Sequence, residues 1–337
     1  MIRTTPLALA AARSLVDTEL RSAISRLCPD SGLVCGYHFG WHDARGREVA
    51  SAGGKALRPA LTLLSARAAR ANPQDALAGA TAVELVHNFS LIHDDVIDRD
   101  ERRRHQVTAW RVFGDARAIL AGDALLSLAC QVLLESSSPH RLEALQRLTQ
   151  AATELIRGQQ ADLSFERLPD VSIAECMEMV AGKTSALISC STAMGAVLAG
   201  APARLVEGLT SYGRHLGLAF QGVDDLFGIW GQPATTGKPI GSDLRRKKKT
   251  LPVVFTLCGE DPYREELRQI LSGEVMTDGD VAHASELLER SGARQWVNDL
   301  VERETALSLR ALEPLPIPDN VRAELEEMAQ FVAMRES

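Results

Sequence analysis

Aromatic residues are scarce in this 337-residue chain, 4% in all, although 45% of it is hydrophobic and that share is mostly Ala, Leu and Val. Strict apolar–polar alternation over four or more positions is also hard to find. Both absences argue against a sheet domain and for packed helices. There is no excess of positive charge: 37 Lys and Arg against 44 Asp and Glu leave a net −7. That balance excludes a general nucleic-acid binder held by phosphate contacts. The six cysteines (Cys28, Cys35, Cys130, Cys176, Cys190, Cys258) form no CxxC and no zinc spacing. They read as free thiols in a reducing cytosol, which makes the expected location cytoplasmic. Near the N-terminus only Pro6 to Ala12 is apolar before Arg13, which reads as the start of a first helix and not as a signal peptide.

Long uncharged runs are nearly absent. The exception, Thr184 to Ala203, has no charge for twenty residues, about the length that spans a bilayer. Its Thr, Ser, Gly and Pro content makes it too polar and too broken for that. A buried helix packed through small residues is expected, with no stable membrane insertion.

What the chain does carry is helical periodicity. Leu57, Leu61, Leu64 and Ala68 fall on one helix face, as do Leu120, Ala124, Leu128 and Val132, and then Leu145, Leu148, Ala152 and Leu155. Gly and Pro punctuate these segments without a low-complexity linker or an internal repeat. The expectation is one all-α domain over residues 1–337, built of ten or more helices. The Gly32–Gly54 stretch, with Tyr37, His38, Phe39, Trp41 and His42, is long for a bare connection and is a candidate cover for a site.

Two acidic constellations interrupt apolar helices. In His87-Asn88-Phe89-Ser90-Leu91-Ile92-His93-Asp94-Asp95-Val96-Ile97-Asp98, Asp94 and Asp98 share a helix face, where like charges repel unless a cation lies between them. Hard carboxylate oxygens of this kind suit Mg²⁺, which keeps several waters and adds phosphate oxygens. A second pair, Asp224-Asp225, lies inside Phe220-Gln221-Gly222-Val223-Asp224-Asp225-Leu226-Phe227. A solvated acidic helix end fits poorly, because both pairs follow apolar residues. Basic groups accompany them: Lys55 and Arg58, Arg102 to Arg104, Lys183, Lys238, and the run Arg245 to Lys249. Carboxylates for Mg²⁺ together with Lys and Arg for oxyanions describe a diphosphate site.

The motifs Gly54-Lys55-Ala56-Leu57-Arg58-Pro59, Asp94-Asp95-Val96-Ile97-Asp98 with Arg103-Arg104, Gly158-Gln159-Gln160-Ala161-Asp162 and Gly182-Lys183-Thr184 occur in that order. Phe220-Gln221-Gly222-Val223-Asp224-Asp225 and Gly237-Lys238-Pro239-Ile240-Gly241-Ser242-Asp243-Leu244 follow. As a set they resemble the trans-prenyltransferases, the polyprenyl diphosphate synthase family, most of all a bacterial geranylgeranyl diphosphate synthase. The resemblance implies the all-α isoprenoid-synthase-like fold, a helical bundle around a central cavity, together with a homodimer and three Mg²⁺ ions. It assigns Asp94, Asp98 and Asp224 to Mg²⁺ bridged to an allylic diphosphate, with Asp95 and Asp225 in support. Arg103, Lys183, Lys238 and Lys248 would bind that diphosphate, and Thr184 and Gln221 would line the reacting region. Lys55, Arg58, His87 and Arg104 would hold the diphosphate of isopentenyl diphosphate. Gln159 and Asp162 would support the second metal cluster.

The chain departs from the family pattern at Gly228, where a third Asp belongs, and at His105-Gln106-Val107, where Gly-x-Pro is usual. In the family the residues four and five before the first Asp help form the floor of the chain tunnel. Here these are Ser90 and Phe89, a combination that resembles geranylgeranyl diphosphate synthases. The expected reaction condenses isopentenyl diphosphate with allylic diphosphates to the twenty-carbon product. Alternatives are a farnesyl or slightly longer synthase, a class I terpene cyclase on the same fold, and a non-catalytic subunit.

Overall fold

The structure, a computed structural model, describes residues 6–49, 54, 56–104, 106–231, 241–259 and 262–334. The helices run in chain order as α1 (Leu7–Ile24), α2 (Pro29–His38), α3 (Leu57–Ala68), α4 (Leu77–Ile97), α5 (Ala109–Phe113) and α6 (Asp115–Leu134). They continue as α7 (Arg141–Phe165), α8 (Ile173–Val180), α9 (Ala186–Leu198), α10 (Ala203–Trp230), α11 (Ser242–Arg245) and α12 (Leu251–Cys258). The last are α13 (Tyr263–Ser272), α14 (Asp278–Arg290), α15 (Ala293–Leu312) and α16 (Asp319–Ala333). Among the described residues the strands are a single two-residue antiparallel pair, β1 (Arg102–Arg103) and β2 (Gln106–Val107), so the all-α expectation holds.

The chain divides into two compact units, each drawn from three stretches. The first comprises Met1–Gln150, Cys190–Thr210 and Leu315–Glu327. Its centre is α4, where Val83, Leu85, Val86 and Ile92 are buried. Helix α6 lies against it through Ala118, Ala121, Leu125 and Leu128. The stripe read from sequence is therefore turned by one position, and Leu120 is 61% exposed. Close approach explains the offset. A Cβ on Gly122 would lie 2.2 Å from the His93 ring, so glycine lets α6 seat directly on α4. By length and composition α6 is also apolar enough to cross a membrane, with 39% of that window buried.

The uncharged stretch becomes α9, and Leu187, Ile188, Ala193, Met194 and Val197 are buried as expected. Its end at Gly200 uses φ +68°, a left-handed conformation that glycine takes without a Cβ penalty. Small residues carry the packing on α3. Thr62 Oγ1 donates to the Ser191 carbonyl at 3.0 Å, and Ala196 N donates to Ser65 Oγ at 3.1 Å. A Cβ on Gly195 would stand 2.1 Å from the Thr62 carbonyl oxygen.

The Gly32–Gly54 stretch is less open than its composition suggests. Pro29, pre-set for a first helical turn, starts α2, which covers the first third of it. Beyond α2, Trp41 Nε1 donates to Asp17 at 2.9 Å and Phe39 stacks on Trp41 at 4.7 Å between centroids.

The second unit comprises Ala151–Ser189, Ser211–Pro314 and Met328–Ser337. One core gathers Met179, Val180, Leu218, Val223, Val254, Val297 and Leu300, and another Leu257, Leu267, Leu287 and Leu288. Capping boxes start two of its helices, Ser172 with Glu175 on α8 and Thr277 with Asp280 on α14. Residues Ala181–Ser185 form a π-helical turn between α8 and α9. The cause is again glycine: a Cβ on Gly158 would meet Lys183 N at 2.2 Å, so α7 and the π turn touch backbone to backbone.

Gly195→Val should lower stability by about 1–3 kcal/mol, the usual cost of overpacking a tight contact, and chemical denaturation would read it. An unchanged midpoint would contradict so close an approach of α9 to α3.

Candidate functional site

In the first unit, the apolar face of α4 carries the first acidic motif to the helix end, with Asp98 as its C-cap. The two adjacent aspartates are treated differently by the fold. Asp95 is buried and receives a forked contact from Arg103, Nε at 2.9 and 3.1 Å and Nη2 at 2.8 Å. Asp94 and Asp98 lie half-buried, one turn apart.

Arg103 and Arg104 sit on the β1–β2 hairpin, a two-residue loop in which Arg104 takes φ +49°. Tight hairpins need that sign. Of the chain's substitutions in the family motif, His105 lies outside the described residues, and Gln106 and Val107 are held by α2. Tyr37 Oη donates to the Val107 carbonyl at 2.8 Å, and Gln106 Nε2 donates to the Tyr37 carbonyl at 3.0 Å. Thr108 Oγ1 closes the hairpin base by donating to the Asp100 carbonyl at 2.6 Å.

Around Arg104 lie two histidines, further arginines and the carboxylates of Glu84 and Asp95. His87 is held far below its usual pKa by burial and by Arg58, Arg104 and Arg103, and is therefore a neutral imidazole. His38 is pushed down to about 3, first by burial and then by Arg104 and Arg103. Its Nε2 faces Asn88 Oδ1 at 3.2 Å, and Asn88 Nδ2 donates to the Glu84 carboxylate at 3.1 Å. Glu84 is the counter-charge to Arg104, whose pKa desolvation lowers and Glu84 raises. Arg58 is 9% exposed on α3. Lys55 lies outside the described residues.

Further along the same helix, Phe89 is 5% exposed and meets His93 edge-on at 4.9 Å. His93 Nε2 lies 3.0 Å from the Ile119 carbonyl. Ser90 Oγ donates back to the His87 carbonyl at 2.8 Å, which turns it onto its own helix.

In the second unit the π turn presents Lys183 and Thr184. Lys183 Nζ donates to Asp162 at 2.5 Å, and Lys248 Nζ lies 3.9 Å from the same oxygen. Thr184 Oγ1 donates to Gln221 Oε1 at 2.5 Å, and Gln221 Nε2 donates to Asp225 Oδ1 at 2.7 Å. Asp225 Oδ2 accepts the Leu251 backbone N–H at 2.8 Å. Thus the second aspartate of this pair is also buried and engaged, while Asp224 is half-buried beside it. Burial raises Asp225 to about 7, and Asp243 and Asp224 push the same way against its two hydrogen bonds. Gln159 is 7% exposed, and neither atom of its amide has a hydrogen-bond partner among the described residues. Lys238 lies outside the described residues.

The basic run divides. Arg245 pairs with Asp278 at 2.7 Å, Lys247 donates to the Gly273 carbonyl and Lys249 to the Leu168 carbonyl, while Lys248 turns to Asp162. Sequence reasoning assigns no role to Glu84, Asn88 or Asp243. A Cβ on Gly228 would lie 1.8 Å from Asp243 Oδ2, so the carboxylate of Asp243 on α11 lies directly against Gly228. The Gly-Ser-Asp-Leu motif carries that residue, but nothing in linear spacing joins it to Gly228.

Among the described residues no three His, Cys, Asp or Glu side chains form a group able to hold a metal unaided. Half-buried aspartate oxygens, completed by phosphate and water, are still the donor set that Mg²⁺ accepts.

A helical fold that carries two aspartate motifs and cations for diphosphate defines an isoprenoid-diphosphate enzyme class. A Polyprenyl synthetase family model matches residues 41–288. The (2E,6E)-farnesyl diphosphate synthase of Mycobacterium tuberculosis is 48% identical, over 100% of this chain and 95% of that protein. The crystal structure of a polyprenyl synthetase from Streptomyces coelicolor A3(2) superposes with a TM-score of 0.94 at 46% identity, covering 98% of this chain and 100% of that one. Geranylgeranyl pyrophosphate synthase from Corynebacterium glutamicum, complexed with isoprenyl diphosphate and magnesium, gives 0.85 at 27% identity, covering 99% and 100%. The chain belongs to the polyprenyl synthetase family and is a prenyltransferase.

Restoring the family residue should harm this protein. Gly228→Asp would drive a side chain onto Asp243 and set two carboxylates together, lowering stability by about 1–3 kcal/mol and activity with it. Higher activity at unchanged stability would refute this. Asp225 gives a pH signature. Its folded pKa, about 7, exceeds its ordinary 3.8, so the native state binds the extra proton and loses stability as pH rises through that window. With EDTA present, the native chain should lose stability relative to Asp225→Asn between about pH 4 and 7 in urea melts; parallel profiles would remove the effect.

Proposed function

We propose that the chain is a short-chain trans-prenyl diphosphate synthase that adds isopentenyl diphosphate to allylic diphosphates and stops at the twenty-carbon product. One observation carries the reading. In each unit the second aspartate of a pair is buried and engaged, by Arg103 or by Gln221 and the Leu251 backbone, while the first stays half-buried. Asp94, Asp98 and Asp224 are then the Mg²⁺ ligands, for three ions in all, and Asp95 and Asp225 hold their surroundings. Bound Mg²⁺ supplies charge neutralisation for the departing pyrophosphate.

The chain's own residues do the rest. Arg103, Lys183 and Lys248, with Lys238, bind the allylic diphosphate and stabilise the charge that grows on it as the carbon–oxygen bond breaks. Lys183 is drawn from Asp162 for this purpose. The hydroxyl of Thr184 and the amide of Gln221 line the allylic carbon. Arg58, neutral His87 and Arg104, with Lys55, hold isopentenyl diphosphate so that its double bond faces that carbon. The proton released by the condensation leaves with pyrophosphate, and no protein nucleophile takes part. Apolar walls keep water from the allylic cation.

Phe89, braced by His93, is the proposed floor of the tunnel and the reason for a twenty-carbon limit. A fifteen-carbon end point is the second reading, favoured by the 48% identity to a farnesyl diphosphate synthase. The whole chain is proposed to act as one catalytic domain in the cytoplasm. It is proposed to pair as a homodimer in which a second copy covers the exposed Ile119, Leu120 and Leu134 of α6.

Purified protein incubated with Mg²⁺, isopentenyl diphosphate and dimethylallyl, geranyl or farnesyl diphosphate should yield the twenty-carbon diphosphate. Farnesyl diphosphate as the end product would support the second reading; hydrocarbons, alcohols or no product would overturn both. Phe89→Ala should lengthen the product by at least one isoprene unit in the same assay, and an unchanged product distribution would remove Phe89 from the floor.

A further inference from the structure

The first unit contains a small open cavity whose wall includes Arg13, Asp17, Trp41, Gly54, Glu84 and Arg104. Two guanidinium groups therefore share it, Arg13 from α1 and Arg104 from the hairpin. Neither makes a hydrogen bond or ion pair among the described residues, and the charge of Arg13 further lowers the pKa of Arg104. Both reach solvent, and the walls of the cavity nevertheless desolvate Arg104.

The carboxylates on the same wall are already engaged. Asp17 accepts Trp41 Nε1 at 2.9 Å on one oxygen and Arg21 Nε at 2.8 Å on the other. Glu84 accepts Asn88 Nδ2 at 3.1 Å. Glu84 opposes Arg104 electrostatically, which leaves Arg13 as the unbalanced charge. The wall beneath is rigid: Phe39 and Trp41 are stacked, and Arg21 lies 4.4 Å over the Trp41 ring. A Cβ on Gly54 would lie 3.1 Å from Arg104 Nη2, so the guanidinium rests against bare backbone. Two like charges facing one cavity repel, and an anion between them removes that cost. Two planar forks facing one space suit a phosphate oxyanion.

We propose that Arg13 is a binding residue for the diphosphate of isopentenyl diphosphate, reaching it across this cavity opposite Arg104. The inference rests on the functional reading above, because Arg104 is assigned to that diphosphate there. The N-terminal helix thereby becomes part of the specificity for the homoallylic substrate, and the allylic diphosphate, held by other cations, is indifferent to Arg13.

The test uses the full chain with Arg13→Ala and Arg13→Lys. Arg13 is exposed on α1, so neither change touches the core. Loss of one charge-assisted contact should raise the KM for isopentenyl diphosphate roughly tenfold in Arg13→Ala. Arg13→Lys should restore part of it, while kcat and the KM for farnesyl diphosphate stay as they were. An unchanged KM for isopentenyl diphosphate, or an equal rise for both substrates, would overturn the proposal. Calorimetric titration of inorganic pyrophosphate in EDTA separates this from the functional reading, since the carboxylate clusters then take no part. If the native chain extends no allylic diphosphate, that reading falls. Pyrophosphate binding weakened by Arg13→Ala would still uphold the cavity as a diphosphate site, and binding that ignores Arg13 would overturn it.

Discussion

A buried carboxylate needs a partner, and the way each aspartate pair meets that need organises the protein. Asp95 takes the fork of Arg103, and Asp225 takes an amide N–H from Gln221 and a backbone N–H from Leu251. Each of these contacts fixes something besides the carboxylate. The first orients the hairpin that also carries Arg104; the second sets Gln221 so that its carbonyl receives Thr184 and ties the start of α12 to α10. Adjacent aspartates on a helix point about 100° apart, so the same dipeptide offers one group to the interior and one outward. A lone aspartate could do one of these jobs and not both.

Lysine is handled on the same principle but reversibly. Asp162 receives Lys183 at 2.5 Å with Lys248 at 3.9 Å, so one carboxylate restrains two cations whose side chains are about a fifth exposed. An ion pair of this partial exposure contributes little net stability, because desolvation offsets much of the attraction. What it does is limit where the two ammonium groups can go. On the proposed function, a diphosphate, with more charge and more acceptors, draws either cation away at small cost. Glycine at 158 makes the arrangement possible by letting the π turn lie on α7.

Much of this is legible in the linear chain, and the omissions have physical reasons. Helices and buried α9 follow from periodicity, Asp94 and Asp98 from a spacing of four, and Asp224-Asp225 from an acidic pair set in an apolar run, all of which report on a single element. The buried face of α6 falls one position away from the predicted stripe because Gly122 is invisible to a count of apolar residues: its effect is to admit His93, not to bury itself. Glu84 and Asn88 lie on the helix that carries the first motif, yet a Glu on a helix reads as solvated until Arg104 is brought beside it. Asp243 stands at Gly228 although the two are fifteen positions apart on different helices. Only tertiary packing links them, so the sequence shows a missing carboxylate at Gly228 but not the one that lies against it in space.

Phe89 illustrates why rotation around a helix axis is an incomplete guide to what a side chain reaches. A straight wheel sets it about 140° from Asp94, which would turn it away from the acidic face. Helical side chains, however, lean back over the preceding turn, so the patch a ring covers is displaced from its own Cα. Phe89 lies edge-on to His93, and His93 is held against the Ile119 carbonyl in the space that Gly122 leaves. The ring therefore packs against a histidine that is itself held in place. That rigidity is what a stop for a growing apolar chain requires, since a ring free to change rotamer would yield to the next isoprene unit. Chain length on the proposed function is therefore a property of three residues on two helices, and the identity of residue 89 alone does not set it.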